Sequence, residues 1–153
     1  MKTNIHHLNN VNPQYIKEIV DLWNENALET AECELDEQDK EMIRKQLNQY
    51  IQSTYGAVFI VMNEKRGTIG YGLASMKQDL VGNILTGQID EVYMTPQYRR
   101  KKLGKQLVGE LISWFHQQDV SSVHVYVDVE NEPALHFWEG IGLNRAFYIL
   151  SKH

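Results

Sequence analysis

The chain has 153 residues, with 15 basic and 20 acidic side chains and a net charge of −5. Apolar residues make up 42% and charged residues 23%, the balance of a folded domain with a core rather than of a disordered segment. The acidic excess argues against broad nucleic-acid binding, no apolar run approaches membrane-spanning length, and the one cysteine, Cys33, has no partner for an internal disulfide.

Residues Met1 to Leu8 lack the apolar core of a signal peptide, so a cytoplasmic protein is the expectation. A short strand is expected near Ile5 to Leu8. Asn12-Pro13 then reads as a cap and first-turn proline opening a helix whose buried face carries Ile16, Ile19, Val20 and Trp23. Asp36 or Asp39 caps a second helix bearing Ile43, Leu47 and Tyr50. From Glu18 to Glu41 this region is densely acidic, with Lys17 and Lys40 as nearby counter-charges. Such a field would attract a cationic ligand, but a solvated helical face is the simpler explanation.

Ala57 to Met62 is apolar throughout, as expected of a strand covered on both faces. Thr68 to Met76 forms the next strand, and Gln88 to Met94 the third of this group. Thr95-Pro96 follows, then a basic loop from Arg99 through Arg100, Lys101 and Lys102 to Leu103, Gly104 and Lys105. Leu103, Leu107, Leu111 and Phe115, with Val108 and Ile112 beside them, then recur on one face of a helix. A basic, glycine-containing loop between a strand and a helix N-terminus brings free backbone N–H groups and the helix dipole together, which suits a phosphate or pyrophosphate. Taken alone, the loop reads equally as a solvated turn. Val123 to Val129 is the next strand. An Asn131-capped helix follows, with Pro133 in its first turn and glycine at its end, and a last strand spans Arg145 to Leu150. No repeat or linker interrupts residues 1–153, so one domain is expected.

Two of these segments resemble the GNAT superfamily of N-acetyltransferases, which move an acetyl group from acetyl-CoA to an amine. Arg99 and Gly104 match the first and last positions of that family's pyrophosphate loop, Q/R-x-x-G-x-G/A. Asn131, Ala134, Phe137 and Gly142 fall in step with its later motif. Two motifs in this order are specific where either alone is weak. The resemblance implies a single α/β domain of the GNAT fold: a mixed, mostly antiparallel sheet of six to seven strands, helices on both faces, and a splayed wedge for the cofactor's pantetheine arm. It implies acetyl-CoA as cosubstrate. Backbone groups of Val92, Tyr93 and Met94 would hold the arm, and Arg99 to Lys105 the pyrophosphate. Asn131 would add a contact, and Phe137 and Trp138 a wall. Lys102 stands where the family usually has glycine, and Trp138 where many members have a tyrosine that protonates the leaving thiolate. An indole N–H cannot supply that proton.

The chemistry also needs an acceptor for the ammonium proton. Glu91 lies on the cofactor strand, where many members have an acid. Asp90 points to the opposite face of a regular strand, and a bulge would change that. Tyr126 and Asp128 share a face of the later strand, with Asp128 near its C-terminal end, where it would hold a substrate ammonium beside Tyr126. Packing and surface roles are the simpler alternative for each. His124 and His136 have no third ligand at a metal-binding spacing, so no metal is expected. A small cationic amine, an aminoglycoside or a polyamine, is the leading acceptor. A peptide or protein N-terminus is the alternative, and a non-catalytic acetyl-CoA sensor or interaction module is the alternative from another class. A homodimer is expected from the resemblance alone.

Overall fold

A computed structural model describes residues 2–153. In chain order the elements are β1 (Thr3–His7), α1 (Pro13–Ala31), α2 (Glu37–Gln52), β2 (Gly56–Asn63), β3 (Gly67–Gln78), β4 (Leu85–Met94), α3 (Leu103–Gln117), β5 (Ser122–Val125) and α4 (Glu132–Ile141). A 3₁₀ turn at Pro96–Tyr98 joins β4 to the basic loop.

The starts of α1, α2 and α4 have local causes. The Asn12 side chain accepts from the N–H groups of Gln14 and Tyr15 at 3.0 and 3.2 Å. Asp36 and Asp39 act together at α2: the Asp36 carboxylate accepts from the Asp39 N–H at 2.8 Å, and the Asp39 carboxylate from the Asp36 N–H at 3.3 Å. Such a capping box satisfies two orphan donors at once. Asn131 accepts from the Ala134 N–H at 3.2 Å, and α4 ends at Gly142 with φ 112°. A cap of this kind is worth about 1 kcal/mol.

The sheet runs in the order β1-β2-β3-β4-β5, antiparallel through β4, with β5 parallel to β4. It separates two cores. Val58, Ile60, Tyr71, Leu73 and Tyr93 pack against Ile16, Ile19, Val20, Ile43 and Leu47 of α1 and α2. Ala57, Phe59, Val61, Ile89 and Met94 pack against Leu103, Leu107, Leu111 and Phe115 of α3, with Trp138 of α4. Alternation along β2 therefore sends apolar residues to both faces, as its unbroken apolar run requires. Leu107, Leu111 and Phe115 are fully buried, and each contributes roughly 1.5–3 kcal/mol. The close approach of α3 depends on missing side chains beneath it. A Cβ on Gly72 would meet Leu111 Cδ1 at 3.1 Å, and one on Gly87 would meet the Phe115 ring at 2.5 Å.

The sheet has five strands, not the six to seven expected. Arg145 to Leu150 forms no strand, and the chain from Asn144 onward is exposed. Phe147, Tyr148, Ile149 and Leu150 have strand propensity, but propensity acts only where an edge offers a partner. The Phe147 ring meets His124 of β5 edge-on at 5.5 Å, without joining a ladder. β5 is also shorter than expected, ending at Val125, so Tyr126 and Asp128 lie beyond it.

That early end opens the sheet. β4 and β5 pair from Thr86–Ser122 to Ile89–Val125 and then part, while β4 continues to Met94 paired with β3. At the same level the register slips: Leu73 faces Glu91 and Ala74 faces Ile89, leaving Asp90 as the extra residue of a bulge. The helices on both faces, the mixed sheet and the wedge match the expected α/β fold.

Candidate active site

The bulge brings Asp90 and Glu91 to one face of β4. Both line a cavity of about 200 Å³ roofed by Trp23 of α1 and by Gln46, Leu47 and Tyr50 of α2. The expectation that Asp90 points away from this face holds only for a regular strand, and the inserted residue removes it. Tyr50 donates its hydroxyl hydrogen to Asp90 Oδ2 at 2.9 Å, and the Asn26 amide donates to Glu91 Oε1 at 3.1 Å. Burial raises the Glu91 pKa above the usual carboxylate range, the Asn26 hydrogen bond opposes that rise, and the Asp90 charge adds to it. Burial, together with Asp90, pushes the Tyr50 phenol up to about 12. A carboxylate with a raised pKa at the wall of a cavity is a proton acceptor matched more closely to neutral pH than a solvated one.

The other predicted members of this set lie elsewhere. Tyr126 is 68% exposed. Asp128 is exposed and is occupied locally, its Oδ1 accepting from the Glu130 N–H at 2.9 Å in a turn before α4. Neither lines the cavity. Tyr93, Tyr50 and Trp23 stand on the cavity side of the sheet, whereas Val92 packs with the α3 side.

The basic loop divides into two parts. Arg99 turns back to the acceptor side. Its terminal nitrogens donate to both oxygens of Glu29 at 2.5 and 2.8 Å, and its Nε donates to the Met94 carbonyl at 2.9 Å. The Tyr93 hydroxyl joins at 3.3 Å, and the guanidinium lies 5.4 Å from the Tyr93 ring centroid. These hydrogen bonds with Arg99 hold the Glu29 carboxyl below its ordinary pKa. Arg99 therefore ties the end of α1 to the end of β4. Its charge is committed there rather than to the loop's outer face.

Arg100 to Lys105 present that outer face. Arg100 and Lys102 both have left-handed backbones, with φ 61° and 64°. Alternating conformations of this kind gather successive N–H groups into a concave anion-binding nest. Lys102 begins α3 without a side-chain cap, so the first-turn N–H groups remain available. Lys101 Nζ stands 5.3 Å over the Tyr98 ring, and Leu103 is buried as the first anchor of α3. Around Gly104 there is room: an added Cβ would lie 3.7 Å from the Phe137 ring and 3.9 Å from Met94 Cγ. Phe137 thus overlooks the loop, while Trp138, 8% exposed, packs edge-to-face on Phe137 inside the core. Asn131 is occupied by its capping bond. The loop, the parted strands and the open first turn fit a pyrophosphate followed by an extended arm.

Among the described residues no helix is long and apolar enough to cross a membrane, and no three His, Cys, Asp or Glu side chains are grouped to hold a metal ion.

The sequence assigns no site role to Asn26 or Glu29, turns Asp90 to the opposite face, and offers Tyr50 only as one aromatic of the acceptor region, with Trp23 and Tyr55. For Asn26 a signal exists: it falls three residues after Trp23, a polar side chain on the apolar stripe of α1. For Glu29 and Tyr50 only the long-range fold supplies the partner.

Residues 16–143 match the acetyltransferase (GNAT) family. The chain belongs to that family of acetyltransferases. Comparison with curated protein sequences finds no match. Among solved structures, the aminoglycoside N-acetyltransferase AAC(6')-Iy in complex with CoA superposes with a TM-score of 0.81 at 15% identity, covering 99% of this chain and 94% of that one. The same enzyme bound to the bisubstrate analogue CoA-S-monomethyl-acetylneamine gives 0.80 at 15% identity, covering 100% and 98%. A transcriptional regulator from Bacillus halodurans C-125 gives 0.83 at 14% identity, covering 99% of each chain. At these identities the superpositions establish the shared fold.

Proposed function

We propose that this protein transfers the acetyl group of acetyl-CoA to a primary amine docked in the cavity between α1, α2 and β4, with Glu91 as proton acceptor. The observation that carries this reading is the coincidence of three features at one level of the sheet. Pairing between β4 and β5 stops at Ile89, the bulge falls at Asp90, and the two carboxylates enter the cavity immediately after. A cofactor arm in the wedge and an amine in the cavity then meet at β4.

Acetyl-CoA supplies the acetyl group already activated as a thioester. The protein's part is to position, to polarise and to take a proton. Backbone N–H groups on the freed edge of β4 polarise the carbonyl. Glu91 removes the proton that the amine must lose before its lone pair can attack. The thiolate takes its proton from solvent, because Trp138 is buried and its indole is no acid at neutral pH.

The cavity walls favour a cation. Asp90 and Glu91 supply charge, and Trp23 and Tyr50 supply aromatic faces. An aminosugar or a polyamine meets these demands better than a peptide N-terminus with a single ammonium. Turnover measured by thiol release should therefore be fastest with neamine or spermidine and slower with a neutral tripeptide. Faster turnover of the tripeptide would reverse the choice of acceptor, and no thiol release with any amine would remove the catalytic reading.

Lys102 offers a separate test of the loop. A non-glycine residue in the left-handed region costs about 1 kcal/mol. Glycine removes that cost at the expense of some unfolded-state entropy. Lys102→Gly should raise the melting temperature slightly and leave acetyl-CoA affinity within a few-fold by calorimetric titration. A large loss of affinity that high salt abolishes would show that the lysine charge, not the backbone nest, holds the phosphates.

A further inference from the structure

Tyr71 stands at the centre of β3 with no exposed surface. Its ring is explained by packing: Trp23 stacks on it at 5.5 Å, and Tyr93 lies 6.0 Å away on the next strand. Its hydroxyl is not explained by packing. The oxygen is buried and, among the described residues, makes no well-formed hydrogen bond; the Asn26 side chain is a polar neighbour that interacts with the oxygen and leaves the hydroxyl hydrogen without an acceptor. Burying a hydroxyl in that condition opposes folding, and phenylalanine would fill the same space without the penalty.

The surroundings suggest why an oxygen is there. Tyr71 pairs with Tyr93 and Leu73 with Glu91, so Tyr71 and Glu91 are diagonal neighbours on one face of adjacent strands. Long side chains reach each other at that spacing. Asn26 lies between both groups: its amide donates to Glu91 Oε1 at 3.1 Å and its side chain also interacts with the Tyr71 oxygen. Among the described residues the hydrogen bond that Glu91 accepts falls on Oε1 and leaves Oε2 open. The charged and titratable groups around Glu91 are Asp90 on β4, Tyr50 on α2 and Tyr71 on β3, while α1 contributes the neutral Asn26. No cation faces it. Burial and the nearby Glu91 charge both keep the Tyr71 hydroxyl protonated. It is therefore neither base nor acid in the working range, but a permanent donor.

We propose that Tyr71 is a positioning residue for proton transfer, whose hydroxyl donates to Glu91 Oε2 when the carboxylate is ionised and so holds Glu91 ready to accept the amine's proton. This rests on the reading of Glu91 as the base. In the step itself the amine N–H bond breaks, an O–H bond forms on Glu91, and the nitrogen lone pair is freed for attack. The Tyr71 proton stays on its own oxygen. With Asn26 on one oxygen and Tyr71 on the other, the ionised carboxylate keeps one orientation and is partly relieved of its burial penalty.

The test is Tyr71→Phe, which keeps the ring. Glu91's carboxyl band is assigned by infrared difference against Glu91→Gln and titrated in both backgrounds, a readout that needs no substrate. Loss of a donor to the charged form should raise the Glu91 pKa by about one unit, a tenfold change in proton affinity. The acid limb of the rate profile with neamine should move up equally, with KM for neamine unchanged. The sign of the stability change follows. At low pH, where Glu91 is protonated, Tyr71→Phe should unfold no earlier than wild type. Its relative stability should fall as pH rises through the Glu91 pKa. An unmoved Glu91 titration overturns the proposal, as does a Tyr71→Phe protein destabilised equally at every pH. If Glu91→Gln itself keeps full rate, the assignment of Glu91 as base falls, and the role of Tyr71 falls with it. If Glu91→Gln is slow and Tyr71→Phe shifts nothing, Tyr71 alone is excluded.

Discussion

Glu91→Gln should slow acetyl transfer at neutral pH by about a hundredfold or more, while raising the melting temperature. The kinetic half follows from removing the group that takes the amine's proton, a loss typically worth that much. The rate should recover in alkaline buffer as free amine becomes abundant. The stability half follows from burial. Glu91's pKa is higher in the folded protein than its ordinary value, so the folded state binds its proton more tightly than the unfolded chain does. Its contribution to stability is most favourable at low pH and is lost as pH rises through the raised pKa. Above that pH the buried charge opposes folding. Glutamine keeps an oxygen for the Asn26 amide and carries no charge, so the gain should appear at neutral pH and vanish at acid pH. Full rate in a folded Glu91→Gln protein would end its assignment as base. Asp128→Asn is the control. Asp128 is exposed and held in its own turn, so its loss should leave the chemical step unchanged.

Gly104→Val should weaken acetyl-CoA binding by about tenfold or more, or about 1.4 kcal/mol, without destabilising the fold. The protein itself leaves room for a Cβ there, whose nearest neighbours, Phe137 and Met94, would lie at ordinary contact distance. Replacing glycine in the second position of α3 also removes a poor helix former. Any loss of affinity must then come from the space that the phosphates need above the first turn. Calorimetric titration, with a thermal scan as control, decides the matter. Unchanged affinity in a folded variant would place the pyrophosphate elsewhere.

The parts of the fold that the sequence made legible are those with local causes. Asn12-Pro13, Asp36 with Asp39, and Asn131 with Pro133 mark helix starts through side-chain oxygens within three residues. The unbroken apolar run of β2 announces two covered faces. Features that depend on a partner strand were less legible. Phe147 to Leu150 look like a strand and form none, because propensity does not create an edge. The bulge at Asp90 is an insertion relative to β3, visible only once the register is known. It alone decides that both carboxylates share the cavity. Arg99 matched a motif position by type, yet its guanidinium is fixed by Glu29, 70 residues earlier. Lys102 was the reverse case. The family resemblance puts glycine there, and the lysine adopts the positive φ that glycine favours.

The most direct test of the account is the mass of the amine after incubation with acetyl-CoA and the wild-type protein. Neamine or spermidine should gain the mass of one acetyl group on nitrogen, with free thiol released in equal amount. An amine of unchanged mass, with acetyl-CoA bound but intact, would contradict the account and leave a domain that holds the cofactor without using it.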